Sequence, residues 1–309
     1  MKVAVAQVGT PGTWKVEDAI EKLRSYVEQA HAQEVKQLVF PEAFIGGYPK
    51  YSTFGAHVGE RKPEGRKEYA RYHSGAIEVP SLHTQQLEGI ASQFDMVLVV
   101  GVIEKDGGSL YCTVIYIDPD VGLVGKHRKL MPTGTERLIW GQGDGSTMPV
   151  IETKFNVRTA AAICWENYMP MLRCHYYSKG VQIYCAPTVD GRQEWGSTMI
   201  HIALEGRCFV LSANQFTRQS DYPDNHPTPS AGDADAIAIA GGSMIVSPLG
   251  EVLAGPLRNE EGLLVADIDL NDIIGAKFDM DVTGHYSRSD VFALQVNEKA
   301  NQFSSSQGN

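Results

Sequence analysis

The chain has 309 residues, 43% hydrophobic and 21% charged, which is enough apolar material for one large core or two smaller ones. Its 27 Lys and Arg stand against 37 Asp and Glu, a formal net charge of −10, and no long basic stripe occurs, which argues against a nucleic-acid partner. No signal-peptide pattern is present, and no run nears the ~18 apolar residues of a membrane span. We therefore expect a cytoplasmic protein that does not bind a membrane.

The amino-terminal half alternates predicted strands and helices. Apolar alternation predicts a strand at 2–8, and helical spacing predicts a helix at 16–32. The further predicted strands are 38–40, 96–104, 109–118 and 123–129, and the further predicted helices are 65–76 and 81–94. "KDGG" and "DPDVG" predict hairpin turns between the last three strands.

The carboxyl-terminal half continues the alternation. Predicted strands are 149–153, 158–163, 181–186, 208–214, 242–247 and 262–268, and the β pattern also covers "SPLGEVLAG" at 247–255. Predicted helices begin near Pro170 and cover 195–206 and 270–278. Residues 216–234, rich in Pro, Asp, Ser and Thr, predict a long ordered excursion. Because no composition break occurs, we expect one α/β domain over 1–296 with helix-covered sheets, followed by a polar, disordered tail at 297–309.

The cysteines are odd in number and scattered. Without C-x-x-C spacing they predict neither a disulfide framework nor a zinc ribbon. A free cysteine in apolar surroundings is usually a small buried hydrophobe, so a catalytic cysteine needs separate evidence. The five positions are Cys112, Cys164, Cys174, Cys185 and Cys208.

Cys164 ends an apolar run, in the stretch "AAAICWEN". A strand-to-helix elbow there would offer backbone N–H groups and partial positive charge, which favour a thiolate and later an oxyanion. The stretch alone is equally compatible with a buried cysteine packing beneath Trp165.

Glu42 follows another apolar strand, in "LVFPEAF", and is the only charge between Lys36 and Lys50. Desolvation at the edge of apolar surface raises a carboxyl pKa, which suits proton transfer near neutral pH. A capping or salt-bridging role is also open.

A basic run, "GKHRKLMPTGTER", ends a third strand. Such a run is usually a solvated face. Strand alternation nevertheless places His127 and Lys129 on one face and Arg128 on the other, so that one lysine can face inward.

These three blocks together closely resemble the nitrilase superfamily. "FPEAFIGGYP", "GKHRKLMPTGTERLIWGQGDG" and "AAAICWENYMP" match its glutamate, lysine and cysteine blocks at Glu42, Lys129 and Cys164, and the pattern extends over residues 2–295. "PTGTERLIWGQGDG" resembles the nitrilase branch more than the aliphatic amidase, carbamoylase or β-ureidopropionase branches. "CWENYMPMLR", "YCAPTVDGRQEW" and "HIALEGRCFVLSANQ" resemble the plant, fungal and bacterial nitrilases that act on aryl, arylaliphatic or cyanoalanine-type nitriles.

The resemblance implies an α-β-β-α sandwich that pairs into αββα-αββα dimers and extends into spiral or helical oligomers. It also implies hydrolysis of a small-molecule nitrile to an acid and ammonia, through a cysteine thioimidate and thioester, with neither cofactor nor metal. Glu42, Lys129 and Cys164 would be catalytic, and Glu136 fits a second family glutamate. Glu136 could instead pair with Arg137.

Five residues near these blocks are candidates for an aromatic substrate pocket, although each could equally be core. They are Tyr48, Trp165, Tyr168, Thr188 and Trp195.

Other chemistries receive less support. A Cys–His protease could use His127 or His175, but the local signatures are missing. A metalloenzyme could use His201, Glu205 and His226, but "HIALEGR" lacks the second histidine of a zincin.

Within the superfamily, an amide-forming nitrile or cyanide hydratase and an amidase remain alternatives. A catalytically dead filament scaffold is the non-enzyme alternative, with the insertion-like stretches 52–72 and 217–233 as assembly surfaces. Three intact catalytic positions argue against it, because assembly alone requires none of them.

Overall fold

The computed structural model describes residues 1–223, 226–227, 229 and 233–301. Most of the predicted tail and part of the predicted excursion lie outside these residues. The described strands, in chain order, are β1 (Lys2–Gln7), β2 (Val35–Val39), β3 (Ala56–His57), β4 (Glu60–Arg61), β5 (Val97–Asp106), β6 (Ser109–Asp118), β7 (Gly122–Arg128), β8 (Ile151–Glu152), β9 (Arg158–Ala161), β10 (Ile183–Cys185), β11 (Phe209–Ser212), β12 (Phe216–Arg218), β13 (Ile237–Val246), β14 (Val252–Arg258) and β15 (Gly262–Asp267). The described helices are α1 (Val16–His31), α2 (Pro63–Ser74), α3 (Leu82–Phe94), α4 (Pro170–Ser178), α5 (Glu194–Gly206) and α6 (Asn271–Asp279).

The strands form two large sheets and a small hairpin. The first sheet has the order β15-β1-β2-β5-β6-β7, the second has the order β12-β13-β11-β10-β9-β8 with β14 beside β13, and β3 pairs with β4. In the first sheet β2 runs parallel to β5, while β6 is antiparallel to both β5 and β7. The carboxyl ends of β2 and β7 therefore meet at one edge of this sheet.

The two sheets pack face to face between layers of helices. Along β1, Val3 and Val5 join the central core with residues of the second sheet, whereas Ala4 and Ala6 pack with apolar residues of α1 and α3. The side chains of β9 alternate in the same way: one set packs in the central core, and the other packs with apolar residues of α4 and α5. This period of two gives the α-β-β-α sandwich and confirms the predicted fold class.

The sequence predictions differ from the structure at a few boundaries. The helix predicted at 65–76 begins at Pro63, which occupies its first turn, where proline is tolerated. The strand predicted from 242 begins at Ile237, and the hairpin of β3 and β4 was not predicted, since strands of two residues show no periodicity. None of the described helices combines the length and hydropathy needed to cross a membrane.

Candidate active site

Glu42, Lys129 and Cys164 each lie just beyond a strand end, after β2, β7 and β9 respectively. The first two come from one sheet and the third from the facing sheet. The segment carrying Glu42 crosses β5 at Gly101, where a Cβ atom would lie 2.0 Å from the Pro41 carbonyl oxygen and 2.8 Å from the Glu42 Cα. Glycine at this crossing lets the glutamate reach the lysine.

Lys129 is the centre of a buried ionic cluster. Its Nζ donates to Glu42 Oε1 at 2.7 Å and to Glu136 Oε2 at 2.8 Å, and both Lys129 and Glu42 are fully buried. Burial alone lowers the pKa of Lys129, but the surrounding anionic groups, first of all Glu42, raise it well above its usual value. The lysine is therefore an ammonium ion, and the solvated-face interpretation does not apply to it.

Glu136 is held in place by further donors. Its Oε1 accepts from the Tyr48 hydroxyl at 2.9 Å, and its Oε2 accepts from the Thr133 backbone N–H at 2.6 Å. Arg137, the alternative partner, instead donates to a backbone carbonyl. The structure thus brings Glu136 to Lys129, as the resemblance implied.

The two oxygens of the Glu42 carboxylate have different surroundings. Oε1 accepts from Lys129 and from the Cys112 thiol at a sulfur–oxygen distance of 3.5 Å. Oε2 is buried and has no hydrogen-bond partner among the described residues. Burial raises the pKa of Glu42 against the opposing charge of Lys129, and the Glu136 carboxylate raises it further. One oxygen is fixed and the other is available to a proton.

Cys164 occupies a strained backbone position, with φ at +52°. Its N–H donates to the Pro187 carbonyl at 2.9 Å, and the Thr188 hydroxyl contacts its Sγ at 3.1 Å. A five-residue 3₁₀ turn begins here, and α4 begins only at Pro170. Burial and the Glu42 charge raise the pKa of Cys164 despite Lys129, which is opposite in direction to the effect expected of a strand-to-helix elbow.

A cleft of about 550 Å³ opens on Cys164, which is 3% exposed. The residues that line it include four aromatic, two acidic and two basic ones: Tyr48, Tyr51, Phe54, Trp165, Glu136, Asp190, Lys50 and Arg192. Two predicted pocket residues, Tyr48 and Trp165, thus line the cleft. A small ligand with an apolar body can reach the sulfur.

Tyr168 and Trp195, also predicted as pocket residues, are not part of this wall. Trp195 is 1% exposed and its Nε1 donates to the Ser212 hydroxyl at 2.9 Å, so it is a core residue. Tyr168 stands edge-on between the rings of Trp165 and Trp195. Nearness in sequence to a catalytic block did not predict nearness to the cleft.

Asp190 and Arg192 also line the cleft, although the sequence analysis did not name them as site residues. They form an ion pair at 2.5 Å, the Trp165 indole donates to Asp190 at 2.9 Å, and the guanidinium lies 4.9 Å from the Trp165 ring centre. Both residues lie just after β10, beyond Thr188. This position could have identified them as site candidates, because the polar residues that follow the strands of this sheet lie at the end of the sheet where the site forms.

The residues considered for other chemistries lie apart from the sulfur. His127 and His175 hydrogen-bond to Glu166 and to backbone carbonyls. His201 and Glu205 pair on α5 at 3.9 Å, whereas the His226 ring faces a carbonyl elsewhere. Within the described ranges, no three His, Cys, Asp or Glu side chains are grouped to hold a metal.

The raised pKa of Cys164 gives a direct test. We expect the resting protein to show no Cys164 thiolate up to about pH 9, because ionisation would add an anion beside Glu42. The measurement is the ultraviolet thiolate absorbance of the protein minus that of Cys164→Ala, followed across pH. A difference signal with a midpoint below about pH 9 would contradict this assignment.

Comparison with known proteins agrees with this geometry. The family model described as carbon-nitrogen hydrolase matches residues 2–278. An arylacetonitrilase from Trametes versicolor is 54% identical, covering 96% of this chain and 97% of that protein, and an aliphatic nitrilase from Sinorhizobium fredii is 52% identical, covering 96% of each. A carbon-nitrogen hydrolase from Helicobacter pylori G27 has a similar fold, with a TM-score of 0.72 at 21% identity over 94% of this chain and 96% of the other. The chain therefore belongs to the carbon-nitrogen hydrolase family and, within it, to the nitrilase branch.

Proposed function

We propose that this protein hydrolyses an organic nitrile to the carboxylic acid and ammonia through a covalent intermediate on Cys164. The observation that carries the proposal is the convergence of three groups from three strand ends: the Cys164 thiol borders the cleft, and the buried Glu42 carboxylate and Lys129 ammonium, which pair with each other, lie close enough to the thiol to affect its pKa. The names of the two similar nitrilases support the same reaction class.

The first step is attack on the nitrile carbon. The Cys164 sulfur forms the new bond while its proton passes to Glu42, whose Oε2 has no hydrogen-bond partner among the described residues. Lys129 and the backbone N–H of Trp165 stabilise the negative charge that develops on nitrogen. Glu42 then returns the proton to that nitrogen, which gives a neutral thioimidate.

The second step uses two water molecules. Glu42 removes a proton from the first water, whose oxygen attacks the thioimidate carbon to give a tetrahedral species. The protonated nitrogen leaves as ammonia and a thioester remains. A second water breaks the carbon–sulfur bond, which releases the acid and restores the thiol, so that one nitrile and two waters give one acid and one ammonia.

We also propose an aryl or arylaliphatic nitrile as substrate. The rings of Tyr48, Tyr51, Phe54 and Trp165 supply flat apolar surface around the sulfur.

Ammonia and acid release from a panel of aryl, arylaliphatic and short aliphatic nitriles tests this function. We expect turnover by the unmodified protein and none by Cys164→Ala. Glu42→Gln should lower kcat by about 10²- to 10⁴-fold, because the amide cannot shuttle protons. Cys174→Ala, at the exposed cysteine, is the matched control and should leave turnover unchanged.

Each other outcome has a definite meaning. Amide as the sole product would replace the proposal with a nitrile hydratase, and turnover of amides alone would indicate an amidase. Full turnover by Cys164→Ala would remove the covalent mechanism. No turnover of any nitrile would leave the filament scaffold as the better explanation.

We further propose that the chain acts in the cytoplasm as a homodimer that assembles into larger spirals, with residues 1–296 as its domain. Near the described carboxyl end, Val291, Phe292 and Leu294 are 56%, 78% and 42% exposed, and such apolar groups suit burial against another copy. We expect sedimentation velocity to show dimers or larger species. A monomer at every protein concentration would contradict the proposal.

A further inference from the structure

A second buried carboxylate, Glu166, links the chain segments that carry the lysine and the cysteine. Its Oε1 accepts from the Leu130 backbone N–H at 2.6 Å, and its Oε2 accepts from the Ile163 backbone N–H at 2.7 Å. Leu130 directly follows Lys129, and Ile163 directly precedes Cys164. One side chain therefore holds both strand ends, which come from different sheets.

The same carboxylate contacts a fully buried histidine. His127 Nε2 lies 2.9 Å from Glu166 Oε2, and its Nδ1 lies 2.7 Å from the Thr147 carbonyl oxygen. A carbonyl oxygen only accepts, so Nδ1 carries a proton, and Nε2 faces a carboxylate oxygen. A ring with acceptors at both nitrogens is satisfied as an imidazolium, paired with an ionised Glu166.

Other titratable groups near the His127 ring do not reverse this assignment. The Tyr176 ring of α4 stands 6.4 Å away, centroid to centroid, and His175 of the same helix is the other ionisable neighbour. Burial lowers the pKa of His127, but the charge and hydrogen bond of Glu166 raise it above its usual value.

We infer that Glu166 and His127 form an ionised positioning pair that fixes the Cys164 sulfur relative to the Lys129 ammonium. Neither side chain is part of the cleft wall, so both act through the groups they hold. The inference rests on the proposed function, because it explains how the catalytic groups of that site are held in position relative to one another. Burying an ion pair costs free energy unless its donors and acceptors are hydrogen-bonded. In this pair both ring nitrogens of His127 and both carboxylate oxygens of Glu166 have partners.

The pair makes distinct predictions for its two members. Glu166→Gln keeps one acceptor oxygen but turns the other into a donor that faces a backbone N–H, so one strand end loses its partner. His127→Gln retains a donor toward Glu166, whereas His127→Leu leaves a buried charge unpaired. A shift of about 1 Å in the position of a catalytic group is enough to lower the reaction rate about 100-fold.

We therefore expect Glu166→Gln and His127→Leu to lower kcat by about 10- to 100-fold with little change in KM, and His127→Gln to recover part of the loss. The double variant Glu166→Gln/His127→Leu should lose no more than the worse single variant, since the two act as a unit. Glu104→Gln is the matched control. Glu104 is equally buried and binds Lys126, Arg128 and Thr113, so its loss should reduce stability but not kcat per folded molecule.

Two readouts need no nitrile and so separate this inference from the proposed function. The rate at which iodoacetamide alkylates the Cys164 peptide should fall about tenfold in Glu166→Gln and remain unchanged in Glu104→Gln. Nitrogen NMR of the unmodified protein should show His127 protonated at both ring nitrogens at neutral pH. A neutral ring, or kcat and alkylation rates within twofold of the unmodified protein, would overturn the inference. So would failure of all the Glu166 and His127 variants to fold, because the pair would then be needed for the fold as a whole.

Discussion

The candidate site depends on one buried ammonium held between two carboxylates. An unpaired lysine could not be buried so completely at an acceptable cost, and neither could two neighbouring carboxylates. The contacts of Lys129 with Glu42 and Glu136, both at hydrogen-bonding distance, offset the cost of burying the ammonium and the cost of burying the two carboxylates. Its position in turn orients Glu42, because one oxygen is occupied by the ammonium and the other is left without a partner among the described residues.

This arrangement explains why the pKa of the Cys164 thiol is raised. Glu42, Glu136 and Lys129 together carry a net negative charge when all are ionised, and a thiolate would add another anion at a buried position. In the proposed reaction the proton leaves Cys164 as the substrate receives the developing charge.

Much of the fold followed from periodicity, and part of the site followed from strand ends. Alternation along β7 correctly placed His127 and Lys129 on the buried face, and the three blocks identified the residues that the structure brings together. The sequence could not predict which residues of one sheet lie close to residues of the facing sheet. Trp195 lies near a block in sequence yet packs in the core, whereas Arg192 reaches the cleft from the stretch "YCAPTVDGRQEW", in which it was not named as a candidate. The pKa direction of Cys164 was also missed, since it depends on burial by residues far away in the chain.

The proposed mechanism requires the Cys164 sulfur to carry the acyl group during turnover. Mass spectrometry of the protein quenched while it hydrolyses an arylaliphatic nitrile can detect this intermediate. We expect a mass increment on the peptide that contains Cys164, equal to the substrate acyl group and absent from the peptides of the other four cysteines. Turnover with that peptide unmodified at every quench time, or with the increment on another residue, would contradict it.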